Sequence, residues 1–261
     1  MNNQNIRKSI IHMVHYSKSS HVGTCLSIVD ILTVLYFSVL NIDPQRPSKK
    51  DRDRFILSKG HGSAALYATL AERGFFPKAY LDKYYIDGGI LPGHLDMEAV
   101  PGIETSAGSL GHGLSIGIGM AIANKQSNNP GHIYVLLGDG ECNEGSVWEA
   151  VMLATTLKLN NITVIIDYNK LQSFGRTNEV INQENMADRW SAFGWQTYEV
   201  DGHNMEELEL IFNLEQTGPK AVIAHTTKGK GVSYMEDKLE WHYKSPNDEQ
   251  YITAMRELGG M

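Results

Sequence analysis

Asp139 stands between two glycines at the end of an apolar run, and Asn169 closes a second apolar run thirty positions later. A carboxylate and a carboxamide at the tips of two strands offer hard oxygen donors. Mg²⁺ prefers that chemistry, and a diphosphate is its natural companion. Near-octahedral coordination needs six oxygens, which Asp139, Asn169, one nearby backbone carbonyl, two diphosphate oxygens and a water can supply. Gly-Asp-Gly alone is an ordinary turn sequence. The context makes it specific: a strand before it, a glutamate and a helix after it, then a strand ending in Asp-Tyr-Asn-Lys.

Four histidines occupy predicted loops. His21 lies between two helices, His61 follows a strand in Ser-Lys-Gly-His, His94 sits in Leu-Pro-Gly-His-Leu-Asp, and His242 comes after the last strand. A single imidazole of this kind is more often a satisfied surface or core group. Four in loops that converge on one strand-end face point to a site.

The elements that must position these residues alternate. Ile6, Ile10, Met13 and Val14 recur at helical spacing in the N-terminal segment, and residues 27–40 read as a second helix with Ser27 at the N-cap and Asp30 three positions on. Residues 54–58 are a short strand, followed by an Ala-rich helix to about Arg73. The segment 74–108 carries turn residues and little periodicity. From Gly111 to Lys125 the chain reads as a helix despite internal glycines, each costing up to ~1 kcal/mol against Ala. Close approach of another backbone or of a cofactor at Gly117 and Gly119 is the expected compensation.

Strand 132–137, a helix from 143 or 147 to 157, and strand 161–167 form a βαβ unit, expected parallel and right-handed. Helix 186–193, strand 196–200, helix 205–214 and strand 221–227 continue the series. The fold class is therefore α/β, a doubly wound, mostly parallel sheet with helices on both faces, in a single domain over 1–261. Ligands of such sheets lie beyond the carboxyl ends of the strands, where Asp139 and Asn169 fall. The helix starting near Asn143 offers its positive end to a phosphate.

With a formal net charge of −7 and no Lys/Arg stripe interleaved with aromatics, nucleic acid and anionic membranes are poor partners. Cys25 and Cys142 build no disulfide framework and lack zinc spacing, which fits a reducing compartment, the cytoplasm by default. The N-terminus lacks the continuous apolar region of a signal peptide, and no stretch reaches membrane-spanning length.

Taken in order, SKGH, PGHLD, SLGHGLS, GDGECNEGSVWEA and DYNK closely resemble the N-terminal half of transketolase, over nearly the whole chain. The similarity is greatest to split transketolases, in which two polypeptides make one enzyme. The resemblance implies thiamin diphosphate with Mg²⁺, or Ca²⁺ or Mn²⁺ in its place. It implies that Asp139, Asn169 and the carbonyl of Leu171 bind the metal. His61, Gly108, Leu110, Gly138, Gly140, Asn169 and His242 would contact the cofactor. Glu144 matches an acid at the subunit interface near it. His21, His94 and His242 correspond to imidazoles around the donor ketose, where they polarise the carbonyl and shuttle protons. The implied reaction moves a two-carbon ketol unit from a ketose, expected to be phosphorylated, to an aldehyde, the hard chemistry belonging to the cofactor.

Departures from the family pattern are Val22, Thr24 and Cys25, where Pro and small residues are usual, and His112, where Gln is common. His112 is as well explained as a polar group at a helix start. Cys142 is expected to pack rather than react. In this family the glutamate that activates the aminopyrimidine ring comes from a second α/β module, and no second βαβ series follows here. The expected partner is therefore a C-terminal transketolase-like subunit, in an assembly of two chains with two partners. Contact elements are helix 111–125 and helix 143–158 with Trp148, unless Trp148, Val151 and Met152 face the chain's own sheet. Rival readings are the α chain of a 2-oxo acid dehydrogenase, a deoxyxylulose-phosphate-synthase-like fragment, or a non-catalytic cofactor-binding subunit. The SKGH and PGH contexts favour sugar chemistry.

Overall fold

The computed structural model describes residues 2–259 of the domain expected over 1–261. Helices α1 (Asn2–Ser17), α2 (Val22–Ser27) and α3 (Val29–Val34) precede strand β1 (Arg54–Leu57). Helices α4 (Ser63–Arg73) and α5 (Gly113–Gln126) separate β1 from β2 (Ile133–Gly138), and α6 (Gly145–Thr156) leads to β3 (Ile162–Tyr168). Then come α7 (Thr177–Val180), α8 (Met186–Ala192), β4 (Gln196–Asp201), α9 (Met205–Phe212), β5 (Lys220–His225) and α10 (Asp248–Glu257).

The strands form one sheet in the order β1-β2-β3-β5-β4, and every pairing is parallel. Every residue of β3 is buried, Thr163 and Asp167 included, as a mainly apolar strand covered on both faces requires. Val135, Leu137, Val164 and Ile166 pack beneath α5, α6 and α8. Their neighbours Leu136, Ile165 and Val222 point to the opposite face, against α1 to α4, α9 and α10. Alternate residues of one strand thus feed two cores, which is what winding helices over both faces requires.

The structure corrects several local expectations. Ser27 does not cap a helix over 27–40. It ends α2, where its hydroxyl donates to Thr24 O at 2.9 Å and to Asp167 at 2.7 Å. Asp30 is likewise committed, to Arg7. Buried tertiary partners outcompete the local capping pattern. Helix α5 starts at Gly113, and a Cβ at Gly117 would lie 2.6 Å from Val135 Cγ2. The close approach there is to a sheet side chain, not to a backbone or cofactor; a Cβ at Gly119 would meet nothing within 4 Å. Helix α6 begins at Gly145, after a 3₁₀ turn over Gly140–Asn143. Trp148 faces its own chain, donating to Cys142 O at 2.8 Å and stacking on Phe193, and Val151 is buried, whereas Met152 is 49% exposed. Helix α10 has no counterpart among the elements expected from the sequence.

Candidate active site

A cavity of about 470 Å³ opens beyond the carboxyl ends of β2 and β3. The structure brings every expected site residue to its walls: His21, His61, His94, Gly108, Leu110, Gly138, Asp139, Gly140, Glu144, Asn169, Leu171 and His242. His112 lies outside it. It occupies the N-cap of α5 with no side-chain capping bond and lines a separate hollow of about 300 Å³.

At one end, Asp139 caps the turn that follows β2. Its Oδ1 accepts the Gly140 N–H at 2.7 Å, and its Oδ2 accepts the Lys170 N–H at 2.7 Å and the Thr177 hydroxyl at 2.9 Å. Lys170 reaches it through a left-handed backbone, φ 61°, which is uncommon for a residue with a Cβ. Burial and the nearby Asp167 charge push the Asp139 carboxyl up, against the pull of those donors. Asn169 is oriented from both sides: Nδ2 donates to Asp167 at 2.8 Å and Oδ1 accepts the Leu171 N–H at 3.1 Å. The Leu171 carbonyl accepts from the Lys228 ammonium at 2.8 Å.

These residues fit a hard divalent cation. The expected donors are all oxygens, from a carboxylate, a carboxamide and a peptide, which suits Mg²⁺ or Ca²⁺. Asp139 carries a buried charge that faces a second carboxylate, so a cation relieves repulsion there. Among the described residues no three His, Cys, Asp or Glu side chains cluster as a metal site, so a metal here must borrow amide and peptide oxygens. Gly140 keeps the floor open, since a Cβ would stand 3.0 Å from Gln172 Cδ.

Beneath this end lies a buried charged hub missed in the sequence. Lys59 Nζ donates to Asp167 at 2.6 Å, to Thr24 Oγ1 at 2.7 Å and to Thr24 O at 3.1 Å. Asp167 also accepts from Ser27, Asn169 and Thr226. Burial raises the Asp167 carboxyl, but the Lys59 charge and these donors outweigh it, and the net shift is downward. Glu141, also buried, accepts from Ser58 and from the Gly111 and Gly138 N–H groups, tying the start of α5 to the β2 turn. The available signals were Lys59 beside His61 in Ser-Lys-Gly-His and Lys228 in Thr-Lys-Gly-Lys, fourteen residues before His242.

At the other end the imidazoles gather. Ring centroids of His21 lie 5.3 Å from His61, 5.9 Å from His94 and 5.0 Å from His242, and His61 is 5.6 Å from His242. His21 adopts φ 72° and its N–H donates to His242 O at 3.0 Å, which joins two loops distant in sequence. Burial, then His94 and Lys228, push His21 down to about 4. Burial, then Lys228, push His242 down to about 3, and His61 is lowered for similar reasons. These three rings are neutral at pH 7 and can both donate and accept. Lys228 donates to His242 Nδ1 at 3.0 Å, which leaves Nε2 to carry that ring's proton. Both cysteines are buried and unpaired, and burial raises each thiol, Cys25 to about 11.

Residues 2–261 match the family described as transketolase, thiamine diphosphate binding domain. One of the subunits of the apulose-4-phosphate transketolase of Phocaeicola vulgatus is 47% identical over 255 residues, covering 97% of this chain and 90% of the relative. The 6-deoxy-6-sulfo-D-fructose transketolase subunit of a Clostridium species is 42% identical over 258 residues, covering 97% of this chain and 93% of the relative. The solved transketolase of Leishmania mexicana superposes with a TM-score of 0.92 at 30% identity, covering 99% of this chain. This chain spans only 41% of that protein.

Proposed function

Because the chain belongs to the transketolase family through its thiamine diphosphate-binding domain, we propose that it is one half of a split transketolase. In this reading it acts as a single cofactor-binding domain over 1–261 and moves a two-carbon ketol unit from a ketose to an aldehyde. The observation that carries the proposal is one cavity with an oxygen donor set at one end and four imidazoles at the other.

Asp139, Asn169 and the Leu171 carbonyl hold Mg²⁺, and His61, Gly108, Leu110, Gly138, Gly140, Asn169 and His242 hold the cofactor, with Glu144 at its edge. Thiamin diphosphate, when bound, supplies the nucleophilic carbon and the electron sink for C–C cleavage. His21, His94 and His242 face the donor sugar. His242, protonated on Nε2, donates to the carbonyl oxygen, and the neutral His21 accepts or returns a hydroxyl proton. The buried lysines are held by their own partners, Lys59 by Asp167 and Thr24 and Lys228 by the Leu171 carbonyl and His242 Nδ1.

The partner subunit supplies the glutamate for the aminopyrimidine, in an assembly of two chains and two partners. Relatives of near-equal length that are named as transketolase subunits support a second polypeptide. Exposed Ile116 on α5 and Met152 and Leu153 on α6 supply apolar surface for it. Relatives named for a sugar phosphate and a sulfosugar support a ketose with an anionic group as substrate. We place the enzyme in the cytoplasm; no helix of the described residues is long and apolar enough to cross a membrane.

Asp139→Ala should abolish Mg²⁺-dependent thiamin diphosphate binding in calorimetry. The purified chain should lack turnover until its partner is added. Undiminished cofactor binding by Asp139→Ala, or ketol transfer by the chain alone, refutes the proposal.

A further inference from the structure

Outside the cavity, a network of buried charged groups takes no part in the steps above. Arg7 on α1 grips Asp30 on α3 with both terminal nitrogens, at 3.0 and 2.6 Å, and Asn3 adds a third donor at 3.0 Å. Asp30 Oδ2 also meets His203 Nδ1 at 2.9 Å, and the other ring nitrogen, Nε2, accepts the Thr227 N–H at 2.8 Å. A ring whose Nε2 accepts a backbone N–H carries its proton on Nδ1, so carboxylate and peptide together fix the tautomer.

The peptide on the far side of His203 opens the turn over residues 226–231. Arg7 Nε donates to Lys230 O of the same turn at 3.1 Å, and the Gly229 N–H donates to Gly23 O of α2 at 2.9 Å. Lys228 lies between these ties. Its ammonium reaches Leu171 O at 2.8 Å and His242 Nδ1 at 3.0 Å, inside the cavity. Both contacts are at hydrogen-bond distance, and a backbone shift of about 1 Å breaks them together. A lysine carries about 2 kcal/mol of rotamer entropy, so only a fixed backbone holds it there.

We propose that His203, locked by the Arg7–Asp30 pair, is a positioning residue that sets the 226–231 turn and thereby places Lys228 against Leu171 and His242. The inference rests on reading the cavity as the thiamin diphosphate site. It concerns a residue that touches neither cofactor nor substrate.

Two substitutions separate the two hydrogen bonds of the ring. His203→Asn keeps an amide N–H near Asp30 and is too short for Thr227, whereas His203→Gln places a carboxamide oxygen within reach of the Thr227 N–H. His203→Asn should weaken thiamin diphosphate binding roughly 10-fold in calorimetry with Mg²⁺ on the full chain. Amides of the 226–231 turn should exchange faster in that variant while β2 and β3 keep their protection, and His203→Gln should restore most of the affinity. If His203 works through Lys228, adding His203→Asn to Lys228→Met should cost no further affinity. Unchanged affinity and exchange in His203→Asn overturn the proposal, as does a protection loss spread evenly over the sheet that His203→Gln fails to mend. Should His203→Asn not fold, loss of affinity in a folded His203→Gln overturns it and retention supports it. A wild-type chain that binds no cofactor, yet whose turn loosens in His203→Asn, overturns the cavity reading and leaves the clamp standing.

Discussion

Lys59→Met keeps the stem of the side chain and removes its ammonium. In the native chain that group sits 2.6 Å from Asp167, with the two side chains 1% and 0% exposed. After the substitution Asp167 retains the Ser27, Asn169 and Thr226 donors but no directly paired counter-charge. Stranding a buried charge in this way costs about 3–5 kcal/mol. With a urea slope near ~3 kcal/mol/M for a chain of this size, the unfolding midpoint should fall by roughly 1–1.7 M.

The loss also has a characteristic pH dependence. Asp167's folded pKa lies below its ordinary value, so its contribution is present above pH ~4 and is lost as pH falls through the folded pKa. Without Lys59, burial dominates and the folded pKa rises above the ordinary value. The variant is then weakest relative to wild type at neutral pH and recovers as acid protonates Asp167. Urea unfolding at pH 7 and pH 5 should show the larger penalty at pH 7. A penalty below ~1 kcal/mol at pH 7, or one equal at both pH values, refutes the argument. Because Asp167 also holds the Asn169 amide, Mg²⁺-dependent cofactor affinity should fall with it.

Two glycines of α5 should respond with opposite sign. Gly117→Ala forces a Cβ to 2.6 Å from Val135 and should destabilise by about 1–2 kcal/mol, overpacking outweighing the helix gain, whereas Gly119→Ala meets nothing within 4 Å and should stabilise the isolated chain by about 0.5–1 kcal/mol. Thermal melts that move the same way for both contradict this. His21 and His242, lowered to about 4 and about 3, bind protons in the unfolded chain before the folded one, so stability should drop as pH falls from 6.5 toward 4. Ring-proton NMR should find both neutral at pH 6, and titration of both near 6.5 would contradict the burial argument.

The sheet and the two residues near its strand tips, Asp139 and Asn169, were legible for a shared reason. An apolar run such as Ile133–Leu137 or Ile162–Ile166 offsets its entropy cost only when buried on both faces, and the first polar residues after it must emerge at the edge. Asp139 follows its run in this way, just past Gly138, whereas the first polar residue after Ile166, Asp167, stays buried inside β3 and Asn169 comes at the strand's end. The loop histidines were legible because motifs carried them. Lys59 and Lys228 were not, because lysine is a surface residue by default and their partners lie 108 and 57 positions away. Left-handed His21 and Lys170 leave no trace in residue type, since each conformation is imposed by hydrogen bonds to another loop. Ser27 shows the same limit in reverse: a valid capping pattern lost to a carboxylate from β3.

The long-range lysines are what make the imidazole end workable. Lys59 offsets Asp167, and the Asp139 and Asp167 charges sustain Lys228, which burial lowers to about 8. Each lysine also faces the histidines with positive charge and disfavours their protonation, beyond what burial does alone. A ring kept neutral holds one N–H and one bare nitrogen, and only that state can pass a proton in either direction. Moving either lysine would therefore disturb both ends of the cavity at once. It would loosen the Asn169 amide, which donates to Asp167, or the Leu171 carbonyl at one end and release the neighbouring imidazoles toward their ordinary basicity at the other. On the proposed function, the Arg7–Asp30–His203 network thus bears on proton chemistry that it does not touch, because its hydrogen bonds reach the turn that carries Lys228.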